Sequence, residues 1–391
     1  MNRRVLLAVL LVAGLALGLR ILVQATRGPD DALLRAEAAL VANQPDAAAR
    51  FAREALVAQP LDGRAYRVLA QIAARRGDDA QRAELTALAV RYAPRDLEAR
   101  AMAAQVAIDS EDYAAAVDHY DRMLRVEPDS ATRVFPVLTG LAQTATGREQ
   151  LLLRLAEAPP WRLPLLRHLA TQLPAVADLP PVFHALGRGQ GLSAAEMAAY
   201  IGRFVSDRQW QAGYLAWLNE LPQARLGKLS SPMNGDFESL GTGAPFDWQI
   251  DGAEGVEAAI ADRDDGHGLA LHVAYAGARG QFRNVGQLLL LQPGMHYLLR
   301  WQSRMDELDT PRGLHWVIRC AAGGGAPLLS GEPQRGSAPW QRHEQAFDVP
   351  PECPVQWLNL ELAARIPAET YARGGAWFDD VDILVADAAP R

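Results

Sequence analysis

The chain begins MNRR and then runs apolar over residues 5–23, interrupted once by Arg20. About 20 mostly apolar residues span a bilayer. Residues 1–28 are therefore expected to form a signal anchor or transmembrane helix, with Arg20 snorkelling and Arg3 and Arg4 on the cytoplasmic side. Cleavage at the small-residue site Val23-Gln24-Ala25 is the alternative, and either outcome exports the rest of the chain. From residue 29 to about 228, apolar positions recur at helical spacing. Near Leu229 glycine rises and period-two alternation takes over. Strands are expected at 269–275, 280–291, 296–305, 314–320, 341–349, 356–363 and 375–385. Seven or eight short strands joined by Gly and Pro turns predict a β-sandwich.

The helical part carries an internal period. Pro60, Pro94 and Pro128 stand 34 residues apart and close the similar segments EALVAQPLD, LAVRYAPRD and RMLRVEPDS. In DYAAAVDHYDRMLRVEPDS, Ala116 takes a small position and Tyr120 an aromatic one four residues later. Ala48 and Ala55 play the small roles in the first unit. Tyr66, Leu69, Ala70 and Ala89 fill signature positions in the second, where Gly77-Asp78 makes the inter-helix turn. Period, prolines and alanines together resemble the tetratricopeptide repeat over residues 29–130. Arg82 departs from the pattern, standing where alanine is expected. The resemblance implies helix pairs that stack into a solenoid whose concave face docks a protein partner. A plain spacer is the alternative. Residues 131–228 stay helical but lose the period, with breakers at Pro159-Pro160, Pro174 and Pro180-Pro181. Ser193 followed by Glu196 is a capping box. Trp210, Tyr214 and Trp217 form a stripe assigned to core. This stretch is expected to be degenerate repeats capping the solenoid.

Residues 229–388 open with MNGDFESLGTGAPFDWQI and close with GGAWFDDVDILV. These two ends resemble the jelly-roll carbohydrate-binding modules, which are galactose-binding-like sandwiches. The expected architecture is therefore multidomain: a transmembrane helix, an all-α tetratricopeptide-like solenoid and an all-β jelly-roll. Sugar recognition in that family implies exposed aromatic faces with polar neighbours. Trp301, Trp316 and Trp357 lie in apolar strands and are assigned to core, as are Trp248 and Trp377. Trp340, in SAPWQRHE, is the aromatic left for glycan binding. Tyr275, Arg279, Gln281, Arg283 and Asn284 are its polar companions, with an ordinary strand face as the alternative. The resemblance also implies a structural calcium held by Asn234, Asp236, Glu238 and Asp379 or Asp380, since calcium takes carboxylate and carbonyl oxygens. The alternative is a simple Asn234-Gly235 turn and a solvated strand end. Cys320 and Cys353 are expected to pair in an oxidising compartment, with two free buried thiols as the alternative.

Composition narrows the function. A formal net charge of −7 and a pI near 5.7 argue against a general nucleic-acid binder. Two cysteines exclude a four-cysteine zinc site. No phosphate loop, G-x-G-x-x-G after a strand, H-E-x-x-H or G-x-S-x-G element occurs. The expectation is a non-enzyme: a scaffold anchored singly in a bacterial inner membrane, with the bulk of the chain periplasmic, serving envelope polysaccharide biogenesis. Its repeats would hold a protein partner and its sandwich a polysaccharide. A purely protein-binding assembly factor and a glycan hydrolase with an unrecognised site are the alternatives.

Overall fold

The computed structural model describes residues 29–280, 282–323 and 325–386. The apolar run at 5–23 and Gln281 lie outside them. Among the described residues no helix is long and apolar enough to cross a membrane. The expected single-pass inner-membrane placement is corrected on that finding. The described residues form thirteen α-helices followed by ten strands.

The chain divides into two compact units, up to Trp161 and from Arg162 onward. The division falls inside the 131–228 stretch. In the first unit, α1 (Pro29–Val41) packs on α2 (Pro45–Ala58), α3 (Gly63–Arg76) on α4 (Asp79–Tyr92), and α5 (Leu97–Asp109) on α6 (Tyr113–Val126). Helices α2, α4 and α6 start at 45, 79 and 113, a constant step of 34. Pro60, Pro94 and Pro128 each stand two residues past a helix end, where proline cannot continue the ladder. Asp62, Asp78, Asp96 and Asp112 cap the helices that follow, each side chain accepting a backbone N–H. Ala48, Ala55, Ala89 and Ala116 are fully buried, so small side chains set the helix approach. A Cβ at Gly63 would lie 2.5 Å from the Ala93 nitrogen, so no larger residue fits there. Helices α7 (Ala131–Gln143) and α8 (Ala145–Leu155) complete this unit.

The second unit joins five helices to the sandwich. These are α9 (Arg162–Gln172), α10 (Pro180–Gly189), α11 (Ala194–Ser206), α12 (Trp210–Glu220) and α13 (Gln223–Leu226). The Ser193 and Glu196 capping box opens α11. Tyr214 and the fully buried Trp217 of α12 pack on Phe246 of the sandwich's first loop. Arg225 of α13 pairs with the buried Asp247 at 3.2 Å.

The sandwich has two five-stranded sheets of antiparallel pairs. Sheet A runs β1 (Gln249–Ile250), β4 (Val285–Leu289), β9 (Gln356–Leu362), β6 (Leu314–Cys320), β7 (Leu329–Ser330). Sheet B runs β2 (Val256–Asp262), β3 (Leu269–Arg279), β10 (Tyr371–Val385), β5 (His296–Asp309), β8 (Gly336–Asp348). The core between them takes alternate residues of each strand, among them Leu314, Trp316, Ile318, Leu358 and Leu360 from sheet A. Sheet B contributes Leu271, Val273, Leu299, Trp301, Ala376 and Phe378. Cys320 and Cys353 are joined by a disulfide, with Cα atoms 5.6 Å apart. It ties the end of β6 to the loop before β9.

Candidate functional site

Alternation decides which side chains each sheet turns outward. In β9, Leu358 and Leu360 enter the core, so Trp357, Asn359 and Glu361 share the outer face of sheet A. In β6, Leu314, Trp316 and Ile318 point inward, leaving His315, Val317 and Arg319 outside. The register places Trp357 between Leu288 and Arg319, and Asn359 between Gly286 and Val317. Gln249 and Ser330 extend that second row to both edges of the sheet, and Glu361 pairs across to His315. A Cβ at Gly286 would lie 2.4 Å from Asn359 Oδ1, so glycine is what leaves room for that amide.

The Trp357 ring is half-buried. Among the described residues it has no aromatic, cation or hydrogen-bond partner, an unusual state for so large a side chain. It is therefore corrected from core to surface. Arg319 donates to Glu361 two rows away, and that ion pair spans the row of Val317, which is buried although it faces outward. Arg283 lies 3.4 Å from the same Glu361 oxygen. The face thus carries one open indole, an ion pair beside it, and amide, imidazole and hydroxyl groups around it.

The outer face of sheet B also carries tryptophan, but in a different state. Trp377 stacks on His272, with centroids 4.0 Å apart and planes 17° apart, and its N–H donates to Asp306 at 3.0 Å. It too is half-buried rather than core. Arg304 lies on its other cross-strand side and pairs with Asp306 at 2.8 Å and with Asp264. The Arg304 hydrogen bonds hold the Asp306 carboxyl below its usual range, and burial pushes the His272 imidazole below its own. Trp340 lies under the Arg263 guanidinium, 3.9 Å from the ring centroid. Arg263 in turn pairs with Asp379 at 2.5 Å. Burial pushes the Asp379 carboxyl up to about 6, against the pull of that arginine. The Trp340 face is therefore occupied, which corrects its assignment as an open sugar platform.

The other expected residues separate. Tyr275 is buried in the core, edge-on to Phe282, and burial pushes its hydroxyl above the usual range. Arg279 is exposed at the end of β3, opposite Tyr371. Asn284 bonds locally to Gly252 and Arg283 backbone. Of that set only Arg283 reaches the sheet A face.

The expected calcium ligands do not assemble. Asn234 is used on Ser239, Glu238 accepts from the Leu269 N–H at 3.0 Å, Asp379 is paired with Arg263, and Asp380 accepts from Gln302. Asp236 receives only the long 3.5 Å contact from the Glu238 N–H. Among the described residues no three His, Cys, Asp or Glu side chains are grouped to hold a metal ion. Asn234, Asp236, Glu238 and Asp380 instead line a cleft of about 960 Å³ with Arg300, Gln302, Arg342, Glu344 and Asp382. Its lining carries charges of both signs. In the first unit, a groove of about 970 Å³ is lined chiefly by α1, α3 and α5, through residues such as Glu37, Arg67, Gln71, Glu98 and Met102, with Arg82 and Arg133 added from α4 and α7. Arg67 there pairs with Glu37, Asp96 and Glu98.

No protein-family model matches the chain, and no curated protein matches it. Among solved structures it is similar to a CBM4 structure, at 19% identity over 39% of this chain and 98% of that one, with a TM-score of 0.30. The CBM22-1 xylan-binding domain of Paenibacillus barcinonensis Xyn10C is similar at 15% identity over 40% and 94%, with a TM-score of 0.28. TmCBM61, solved in complex with β-1,4-galactotriose, is similar at 14% identity over 40% and 99%, with a TM-score of 0.28.

Proposed function

We propose that this chain is a non-catalytic glycan-binding protein whose ligand lies on the outer face of sheet A. The observation that carries this reading is Trp357, a half-buried indole without a stacking partner among the described residues, beside Asn359, Arg319, Glu361 and His315. An indole face offers apolar area to the C–H side of a pyranose, and the surrounding amide, imidazole and hydroxyl groups can meet its hydroxyls. Hydrolysis of a glycosidic bond calls for two placed carboxylates. Glu361 is the one carboxylate at the outward strand positions described for this face, and it is engaged by arginine. That single, arginine-engaged carboxylate is what supports reading the face as a binding site.

The helical unit is read as tetratricopeptide-type, on its 34-residue step, its terminal prolines and its buried alanines. Its groove would take a protein partner, so that the chain holds glycan and protein together as a scaffold in polysaccharide assembly. Linking two sites in this way raises local concentration without chemistry.

The test is binding of the full chain to a panel of neutral and acidic polysaccharides, with Trp357→Ala and Trp377→Ala beside the wild type. A central aromatic contact is worth roughly 2 kcal/mol, or about 30-fold in affinity. Trp357→Ala is expected to lose that much while keeping the wild-type circular dichroism, and Trp377→Ala to bind normally. The opposite pattern would move the site to sheet B. No binding by the folded wild type would remove the glycan reading.

A further inference from the structure

The charge on the sheet A face is lopsided, and its arrangement decides which glycan suits it. Two arginines, Arg283 and Arg319, converge on a single carboxylate, that of Glu361. The acid is the buried member of the trio, its side chain 6% exposed, while Arg283 is 63% and Arg319 33% exposed. Both contacts use the same carboxylate oxygen, through Arg319 Nη1 and Arg283 Nε. A guanidinium has five N–H donors in a planar fork, so most of this donor capacity has no protein acceptor among the described residues. The face a ligand meets is therefore cationic, with one positive charge in excess. Arg319 is also the direct cross-strand neighbour of Trp357. A sugar ring stacked on the indole would carry its ring substituents toward that guanidinium. From Trp357 to Glu361 the strand advances roughly 13 Å, which is room for an oligosaccharide rather than a single sugar.

We propose that this face selects acidic glycans, with the carboxylate of a uronic acid on Arg319 beside Trp357 and Arg283 serving a second acidic unit farther along β9. The inference rests on the glycan-binding reading above and names the substrate class of that same site. A planar carboxylate matches the guanidinium fork in geometry and charge, where a neutral sugar's hydroxyls do not.

The experiment compares each acidic polymer with its own neutral form. Polygalacturonate, alginate and hyaluronate are tested beside the products of carbodiimide–borohydride reduction, in which uronic acids become neutral sugars on an unchanged backbone. Neutral xylan and galactan complete the set, all with the full chain. The expected result is binding to at least one acidic polymer, at least tenfold weaker binding to its reduced form, and further weakening as salt rises. Arg283→Gln, at an exposed position, should weaken binding to the acidic polymer several-fold. Arg319→Gln alone strands a buried carboxylate, so the double variant Arg319→Gln with Glu361→Gln is the folded test of that position. It should lose binding to the acidic form. Equal or tighter binding to the reduced polymers, or to xylan or galactan alone, would overturn the acidic selectivity and leave the glycan site standing. Binding to nothing in the set would overturn both.

Discussion

The two outer faces of the sandwich make opposite use of tryptophan. On sheet B, Trp377 is stacked on His272 and bonded to Asp306, and Trp340 lies under Arg263. Each ring face there is already covered by a protein group, and the Trp377 N–H is bonded, while the Trp340 N–H is buried without a partner among the described residues. On sheet A, Trp357 has the same half-buried state and none of those partners. Exposure alone does not separate the two faces; whether the ring face is covered by a protein group does. The ion pairs tell the same story. Arg304 and Arg263 bind two acids each, Asp306 with Asp264 and Asp379 with Asp265. Arg283 and Arg319 share one between them.

The largest effect that would sharpen this contrast comes from the disulfide. Cys320 pairs across to Gln356, one residue from the Arg319 and Trp357 pair, so the bridge fastens the sheet A platform at that end. Replacing both cysteines by alanine is expected to cost the second unit roughly 3–4 kcal/mol, from the loop it closes, and to weaken glycan binding. Urea unfolding and a binding titration measure the two.

Next in size is a pH effect confined to sheet B. Asp379 keeps its proton to about 6 in the folded chain because it is buried. A carboxyl held protonated by the fold adds stability at low pH. That contribution is complete below the unfolded value near 4 and is lost as pH rises through about 6. Wild type should therefore lose roughly 2–3 kcal/mol between pH 4 and 7 that Asp379→Asn does not lose. Urea unfolding of both proteins at the two pH values gives the difference directly.

A Cβ at residue 286 would press on Asn359 Oδ1 and on the Leu358 carbonyl, 2.9 Å away. Gly286→Ala should cost about 1–2 kcal/mol as an overpacked site and lower glycan affinity by displacing Asn359. At the small end, His272→Ala removes the stack on Trp377. A loss of about 0.5–1 kcal/mol is expected, with glycan binding unchanged. A change in binding on that substitution would break the contrast between the faces.

Much of the helical part was legible because proline and aspartate act locally. A proline two residues past the ends of α2, α4 and α6, and an aspartate at the N-caps of α3, α4, α5 and α6, need no tertiary information. In the sandwich the strongly alternating strands were legible, whereas β2 was missed. Its sequence VEAAIAD alternates, but alanine gives the pattern little amplitude, and β1 and β7 are two residues each. The site departs from expectation for a different reason. Trp357 reads as core because it sits in an apolar strand. Yet Gln356-Trp357-Leu358-Asn359-Leu360-Glu361-Leu362 puts the three leucines on one side and Trp357, Asn359 and Glu361 on the other. That signal was present in the period. The ion pairs that cover Trp340 and the register that joins Arg319 to Trp357 were not, because they come from strands distant in sequence.

On the proposed function, the glycan lies on the open indole of Trp357. The chain has nine tryptophans, each with one indole N–H. The direct measurement is a titration of isotope-labelled full chain with a bound glycan, following the indole N–H resonances assigned by single substitution. The Trp357 resonance should move progressively with ligand while those of Trp340 and Trp377 stay fixed. Movement of Trp377 or Trp340 with Trp357 unmoved would contradict the account.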